Sequence, residues 1–196
     1  MKRFNNSEKL TDMIDYLLSV KEYVTVAIDG PCTSGKTTLA SLLAEKYGAT
    51  VFHADDFFLR REQRTPERLS QVGGNLDRER FFCEVIAPLT EKRDISYSPF
   101  SCRTQTLGEK ISVKIKALNI VEGSYCHHPY FGEAYDLRVF IDIDENEQRK
   151  RILMRNPDKA ERFFSEWTVK ENEYFEKFKI KEKADIVLND TKSGEA

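Results

Sequence analysis

The sequence predicts an α/β fold in which a parallel β-sheet is sandwiched between helices. Several short runs are continuously apolar and β-branched, which is typical of strands buried on both faces. Runs with a helical period of apolar residues alternate with them, as in folds with parallel sheets. A glycine-rich segment, Gly30–Thr37, joins the first of these strands to the helix that follows.

That segment reads Gly-Pro-Cys-Thr-Ser-Gly-Lys-Thr, the spacing of a Walker A phosphate-binding loop. The strand Tyr23–Ile28 precedes it and the helix Thr38–Lys46 follows it, so a chance glycine-rich turn is the weaker interpretation. Glycines let backbone N–H groups approach a phosphate, and the helix N-terminus favours its charge. The lysine reaches the β- and γ-phosphates, and the last threonine ligates Mg²⁺. We therefore predict that ATP and Mg²⁺ bind at Gly30, Pro31, Cys32, Thr33, Ser34, Gly35, Lys36, Thr37 and Thr38.

Length and charge narrow the function classes. The 196 residues suit one P-loop NTPase domain. Within it we predict an N-terminal helix in residues 1–21, a substrate-side excursion in 60–115 and a lid in 149–164. The net charge of −2 disfavours a broad basic surface for nucleic acid.

The cysteines and the apolar runs indicate a cytoplasmic protein. None of the four cysteines forms a Cys-x-x-Cys pair, which favours reduced thiols and gives no support to zinc or redox chemistry. The start of the chain is polar, and no run approaches the ~20 apolar residues of a membrane span, so neither a signal peptide nor a membrane partner is expected.

Acidic residues follow two of the predicted strands, where ligands of open parallel sheets bind. Asp55, Asp56 and Phe58 come after the strand Thr50–His53, and Glu122 comes after the strand 117–121. The functional interpretation is an acid/base or metal carboxylate beside an aromatic wall, with Glu122 near Mg²⁺. The alternative for the first group is a helix start with capping aspartates and core phenylalanines.

Later segments allow functional and purely structural interpretations. His127 and His128 suggest zinc, but no further ligand has suitable spacing, which leaves substrate contact or loop packing. Arg151 and Arg155 share a helix face, followed by Arg162, and form either a solvated basic face or a cationic lid. We interpret a later aromatic stripe as core packing: Phe163, Trp167, Tyr174, Phe175 and Phe178. Strands are also predicted at 137–141 and 184–188, and a small β excursion over 97–115.

Four blocks in this order resemble the uridine kinase-like family of P-loop kinases, which is related to phosphoribulokinase, nicotinamide riboside kinase and pantothenate kinase. They are Gly30–Thr37, Asp55-Asp56-Phe57-Phe58, Val121-Glu122-Gly123, and Arg151-x-x-x-Arg155 with Arg162. The resemblance spans residues 25–188. It implies an ATP-dependent phosphotransferase with an alcohol acceptor, a β-hairpin that contacts the acceptor, and an arginine-bearing lid.

The resemblance also implies roles for single residues. Asp55 resembles the general base, Glu122 the acid near Mg²⁺, and Arg155 and Arg162 the lid arginines, with Lys36 holding the phosphates. We predict that the acceptor contacts Asp56, Phe58, Tyr97, Arg103, Tyr125, His127 and His128. A pocket is expected between Asp55 and four of these residues: Tyr97, Arg103, His127 and His128.

The sequence departs from the family pattern at the acceptor hairpin and the lid. Phe100-Ser101 stands where uridine kinases carry Tyr-Asp, and Ile152 and Asn156 replace an Arg and an Asp of the lid. A nucleoside-like acceptor is the first expectation, and nicotinamide riboside, pantothenate or a sugar are the alternatives. A non-catalytic ATP-binding regulator also stays open, as does a homo-oligomer. A GTPase is disfavoured because no Asn-Lys-x-Asp signature is present.

Overall fold

The computed structural model describes residues 4–190, and a parallel sheet of five strands lies at their centre. Within these residues the strands are β1 (Val24–Asp29), β2 (Thr50–His53), β3 (Ile95–Tyr97), β4 (Phe100–Ser101), β5 (Thr106–Leu107), β6 (Ile111–Val113), β7 (Leu118–Glu122), β8 (Leu137–Asp142) and β9 (Ile186–Asn189). The central sheet has the order β2-β7-β1-β8-β9, and every neighbouring pair is parallel. The predicted α/β class is confirmed, and the five predicted buried strands form this sheet.

Helices connect the parallel strands. They are α1 (Ser7–Val20), α2 (Lys36–Tyr47), α3 (Pro66–Leu69), α4 (Arg78–Phe81), α5 (Ala87–Thr90), α6 (Glu145–Arg155), α7 (Ala160–Arg162) and α8 (Thr168–Phe178). The π-helical turn Phe82–Ile86 joins α4 to α5, and the π-helical turn Phe163–Trp167 joins α7 to α8. A 3-10 turn, Ala54–Phe57, follows β2 directly. Nothing helical in residues 4–190 combines the length and the apolar character needed to cross a bilayer.

The sheet is buried on both faces because its strands alternate side chains between two separate cores. Val26 and Ile28 of β1 pack in one core, to which α1 and α2 contribute apolar residues such as Ile14 and Leu39. Ala27 packs in the other core with the aromatic side chains of the opposite layer. The continuous apolar runs of the sequence therefore correspond to strands covered by helices on each side.

The strand register brings three chain segments to one edge of the sheet. Ile28 and His53 are both paired with Glu122, from opposite sides of β7. The chain leaves β1 into the glycine-rich loop and leaves β2 into the 3-10 turn at this same edge. The residues that the sequence singled out at strand ends therefore emerge side by side.

Two short antiparallel pairs form the excursion before β7. The strand β3 pairs with β6, and β4 pairs with β5. The polar segment ahead of α4 is held in place by Arg68, whose guanidinium donates to both carboxylate oxygens of Glu79 at 2.7 Å. The same side chain donates to the carbonyl oxygens of Gly74 and Leu76. This segment is therefore anchored to α4.

Candidate active site

The glycine-rich loop adopts a conformation that few other sequences could take. Gly30 and Gly35 have φ values of 144° and 103°, in the region that favours glycine. A Cβ atom added to Gly30 would lie 2.3 Å from the carbonyl oxygen of Ile141, because the loop passes directly against β8. The Lys36 ammonium donates to the carbonyl oxygens of Gly30 and Pro31 at 2.7 and 2.9 Å. The loop therefore curves around the amine of its own lysine.

A cavity of about 240 Å³ lies in front of this loop. Six of the nine residues predicted to bind ATP line it: Cys32, Thr33, Gly35, Lys36, Thr37 and Thr38. The other three support the loop from behind, since Gly30 and Pro31 hold Lys36 and Ser34 is fully buried. The cavity is also lined by Asp55, Phe58, Glu122 and Arg155. One space thus brings together residues from all four sequence blocks.

Glu122 joins two further side chains at the strand edge. Its Oε1 accepts a hydrogen bond from the Thr37 hydroxyl at 3.0 Å and lies 2.5 Å from Nδ1 of His53. The Glu122 carboxylate and this hydrogen bond raise the pKa of His53, against the opposing effect of partial burial. His53 was not predicted from the sequence, although its place at the end of β2 was a usable signal.

The oxygen atoms of Thr37 and Glu122 fit a magnesium ion. Hydroxyl and carboxylate oxygens are the ligands that Mg²⁺ prefers, and the ion usually keeps phosphate oxygens and waters as its remaining ligands. Within residues 4–190 no group of three or more His, Cys, Asp or Glu side chains could hold a metal ion. These two residues would therefore hold Mg²⁺ together with a bound polyphosphate.

Asp55 and Asp56 are adjacent in the chain but face different partners. The Asp55 carboxylate lines the cavity, where loss of hydration raises its pKa and the nearby positive charge of Lys36 partly offsets this. The Asp56 carboxylate accepts a hydrogen bond from the Tyr97 hydroxyl at 3.1 Å, and its backbone carbonyl accepts one from Arg80. Asp55 is therefore the member of the pair that faces the phosphate loop.

The arginines of the predicted lid are separated in the structure. Arg155 lines the cavity, whereas Arg162 is 68% exposed, pairs with Glu166 at 3.0 Å and lines a neighbouring cavity. Arg151 has a structural place: it pairs with Glu147 at 2.8 Å and with Asp190, and it donates to the carbonyl oxygen of Thr33. The interpretation of Arg151 as a lid residue is therefore wrong, because its guanidinium is held by these ion pairs and this hydrogen bond.

The aromatic stripe that follows has two different environments. Tyr174 is fully buried, with Phe175 and Phe178 packed beside it, so the prediction of core packing holds for these three. Phe163 and Trp167 line the cavity, so the prediction is wrong for them. The ring of Trp167 meets Phe58 edge to face, with centroids 5.5 Å apart.

Glu171 lies on the same helical face, four residues after Trp167, and was missed by sequence reasoning. It is fully buried and lines the cavity. Its Oε2 accepts a hydrogen bond from the Cys32 N–H at 2.8 Å, and its Oε1 accepts one from the Ser124 hydroxyl at 2.5 Å. Burial raises its pKa, while Lys36 and these bonds act in the opposite direction. The helix that carries the aromatic wall is thus bonded to the phosphate loop.

Tyr125, His127 and His128 lie in the core, away from the cavity. The His127 N–H donates to the buried Asp29 carboxylate at 3.0 Å, and Nε2 of His127 lies 3.2 Å from the carbonyl oxygen of Ala27. The ring of His128 stacks on Tyr174, and Tyr125 packs against the same ring. None of the three lines the cavity in front of the phosphate loop, and His127 and His128 instead line a separate cavity with Arg138 and Phe178, so their contact with substrate stays a prediction.

The remaining predicted contacts also fall outside the first cavity. Tyr97 is buried and donates to Asp56, while Arg103 is exposed in the turn between β4 and β5. The cavity that Asp55 lines includes none of Tyr97, Arg103, His127 and His128, so the pocket expected between them and Asp55 is not formed by residues 4–190. Phe58 is the predicted acceptor contact that does line the cavity.

Comparisons with known proteins give structural likeness at low sequence identity. No family profile and no curated protein matches the sequence. A possible uridine kinase from Bacillus stearothermophilus is 22% identical to this chain, with a TM-score of 0.66. The alignment covers 91% of this chain and 98% of the chain of that protein. A candidate fructose transport system kinase from Silicibacter sp. TM1040 is 20% identical with a TM-score of 0.65 and the same coverage.

A more distant enzyme shows the same arrangement. Phosphoribulokinase from Rhodobacter spheroides is 11% identical to this chain, with a TM-score of 0.60. The alignment covers 86% of this chain and 70% of the phosphoribulokinase chain. The likeness extends over the five-stranded sheet and its flanking helices, on which the glycine-rich loop is carried. This chain therefore has the fold of the uridine kinase-like and phosphoribulokinase-like P-loop kinases.

Proposed function

We propose that this protein is an ATP-dependent kinase that transfers the γ-phosphoryl group of ATP to a hydroxyl group of a small molecule. The observation that carries the proposal is the single cavity lined by Lys36 and Thr37 on the loop side and by the Asp55 carboxylate. A triphosphate and an alcohol that enter this cavity from its two sides meet at the γ-phosphorus. A nucleoside-like acceptor is the more specific form of the proposal, in line with the sequence resemblance.

Binding of the triphosphate depends on the loop. The N–H groups at the start of α2 and the ammonium of Lys36 supply positive charge for the phosphates. Bound Mg²⁺, held by Thr37 and Glu122, would neutralise charge on the β- and γ-phosphate oxygens. His53 would act through Glu122 as a positioning residue, since its ring fixes one oxygen of that carboxylate.

We assign Asp55 as the general base that activates the acceptor hydroxyl. Its carboxylate takes the hydroxyl proton as the acceptor oxygen attacks the γ-phosphorus. The new O–P bond forms, the bond from the γ-phosphorus to the bridging oxygen breaks, and ADP leaves with the electron pair. The raised pKa of Asp55 makes its carboxylate a stronger base toward the hydroxyl proton than a carboxylate with the ordinary pKa.

Arg155 and the aromatic wall complete the site. The guanidinium of Arg155 lines the cavity, where it can compensate charge that develops on the transferred group. Phe58, Phe163 and Trp167 cover the same space with apolar surface. Exclusion of water by these rings would limit hydrolysis of ATP in place of transfer.

An ADP-release assay over nucleosides, vitamins and sugars, with mass spectrometry of the product, tests the proposal. Lys36→Ala should abolish transfer and weaken nucleotide binding. Asp55→Asn should lower the rate at least a hundredfold while nucleotide binding, measured by calorimetry, survives. The exposed α1 residues Lys9 and Asp12 provide matched controls, as Lys9→Ala and Asp12→Asn.

The outcomes separate the alternatives. Near-normal turnover of Asp55→Asn on the true acceptor would refute the assignment of the base. Tight ATP binding without acceptor-dependent ADP release across the panel would favour a non-catalytic ATP-binding regulator.

A further inference from the structure

A second cavity adjoins the first, with a volume of about 160 Å³. The two cavities share Phe58 and Trp167, so their edge-to-face rings form the partition. Three parts of the chain enclose the second cavity: the segment after β2, the turn after β4, and the helix that carries Trp167. None of these residues belongs to the phosphate loop, so this space is separate from the triphosphate site.

The second cavity has an excess of positive charge. Arg64, Arg162 and Lys170 line it, and Glu166 is the one acidic residue among its lining side chains. Glu166 is already paired with Arg162. Arg64 uses its Nε to donate to the carbonyl oxygen of Leu59, and neither Arg64 nor Lys170 forms an ion pair with a carboxylate of residues 4–190. Two cationic groups therefore lack a counter-charge here.

Cys102 connects this cationic region to the proposed base. Its thiol lines the second cavity and lies within electrostatic reach of both Asp55 and Arg64. Burial and the Asp55 charge raise the pKa of this thiol, and Arg64 lowers it. Arg64 lines the second cavity and Asp55 lines the first, so a molecule that extends past the shared Phe58 and Trp167 rings can meet both side chains.

Given the proposed kinase function, we infer that the acceptor carries an anionic group, a carboxylate or a phosphate, which binds against Arg64 and Lys170 while its hydroxyl group reaches Asp55 past the Phe58–Trp167 partition. A guanidinium presents a planar pair of donors that matches either anion, and an ammonium adds a point charge. An uncharged nucleoside would leave both cations without a partner. This assignment refines the acceptor class and departs from the nucleoside expected from the sequence.

Matched acceptors that differ in the anionic group provide the test. One set is glycerol, glycerate and glycerol 3-phosphate, and another is ribose, ribonate and ribose 5-phosphate, with uridine as the nucleoside. ADP release is measured with each under the same conditions. We expect at least one charged member to have a kcat/KM at least tenfold above its neutral parent. The acid and phosphate arms identify which anion is recognised.

Variants show where the discrimination arises. Arg64→Gln and Lys170→Gln should each lower the ratio of charged to neutral kcat/KM at least tenfold, mainly through a higher KM. The Lys170 side chain makes no hydrogen bond or ion pair with the described residues, so its variant carries little risk of misfolding. Arg61→Gln and Lys177→Gln, at exposed positions without ion pairs, are the matched controls.

Calorimetry of the charged compounds without ATP separates this inference from the proposed function. Binding that depends on Arg64 and Lys170, without ADP release, would support the anion site independently of the kinase proposal, which the broader ADP-release panel decides. Efficient ADP release with equal preference for neutral and charged acceptors, or an unaltered ratio in both variants, would overturn the anion site and leave the kinase proposal intact.

Discussion

Two substitutions of Glu171 separate its hydrogen bonds from its charge. The carboxylate is fully buried and accepts from the Cys32 N–H at 2.8 Å and from the Ser124 hydroxyl at 2.5 Å. In Glu171→Gln, the amide oxygen can keep the bond from Cys32, and the amide NH₂ can donate to Ser124. The Ser124 hydroxyl then donates to the carbonyl oxygen of Gly30, which lies 3.3 Å away. Every polar group therefore keeps a partner.

Glu171→Ala removes both acceptors. A buried N–H left without a partner costs about 1–3 kcal/mol, and the lost methylene adds about 0.8 kcal/mol. We therefore expect the alanine variant to unfold with a free energy about 3 kcal/mol below that of the glutamine variant. The glutamine variant should stay within about 1 kcal/mol of the parent protein, because it also removes the penalty of burying a charge.

Urea unfolding followed by the fluorescence of Trp167, the one tryptophan of the chain, measures both values. Trp167 lies one helical turn from Glu171, so its signal also reports local changes. Equal destabilisation by glutamine and alanine would refute the reasoning, since it would mean that the charge, and not the pair of acceptors, stabilises the loop. An alanine variant as stable as the parent would refute the hydrogen bonds themselves.

Three further predictions follow from titrating groups and from the aromatic wall. Because the pKa of Asp55 is raised above its ordinary 3.8, kcat/KM should fall as the pH decreases through a midpoint above that ordinary value, and a profile that stays flat down to pH 3.8 would contradict its role as base. Burial lowers the pKa of His128 from 6.5 to about 4, so the unfolded state binds the proton first and stability is lost as the pH falls below 6.5. Titration of His128 should lower the free energy of unfolding by about 2 kcal/mol between pH 7 and 5, so His128→Asn, which lacks this titration, should lose about 2 kcal/mol less than the parent protein over that interval. Trp167→Ala should raise ATP hydrolysis without acceptor severalfold, since it opens the partition between the cavities, whereas Phe164→Ala should leave that rate at the parent level.

The predictable parts of the site are those whose functional residues lie close together in the sequence. The phosphate loop combines glycines, Lys36 and Thr37 within eight residues, so its spacing alone predicts its geometry. Asp55 and Glu122 were found because parallel strands end at the same edge of the sheet, and a residue just past a strand must emerge there. The register that pairs His53 with Glu122 follows the same rule, and its chemistry was missed because His53 is still inside the strand.

The misplaced residues are those whose side-chain environment depends on contacts with residues far away in the sequence. His127 and His128 follow a strand end as Asp55 does, but Gly123, with a φ of 137°, turns the chain back. The buried Asp29 carboxylate then holds the His127 N–H under the sheet. The residues of the aromatic stripe follow one helical period, but their surroundings differ along the chain. Tyr174 packs in the core, whereas Trp167 lines the cavity. No local pattern encodes either change.

The bond between Glu171 and the Cys32 N–H has a consequence for how the two proposed ligands sense each other. One rigid helix carries a wall of the second cavity at Trp167 and a contact to the nucleotide loop four residues later. If an occupant of that cavity displaces the helix and alters ATP affinity by some factor, thermodynamic reciprocity requires ATP to alter the occupant's affinity by the same factor. Titrating each partner at fixed levels of the other would give this coupling free energy twice, from opposite sides of the same cycle.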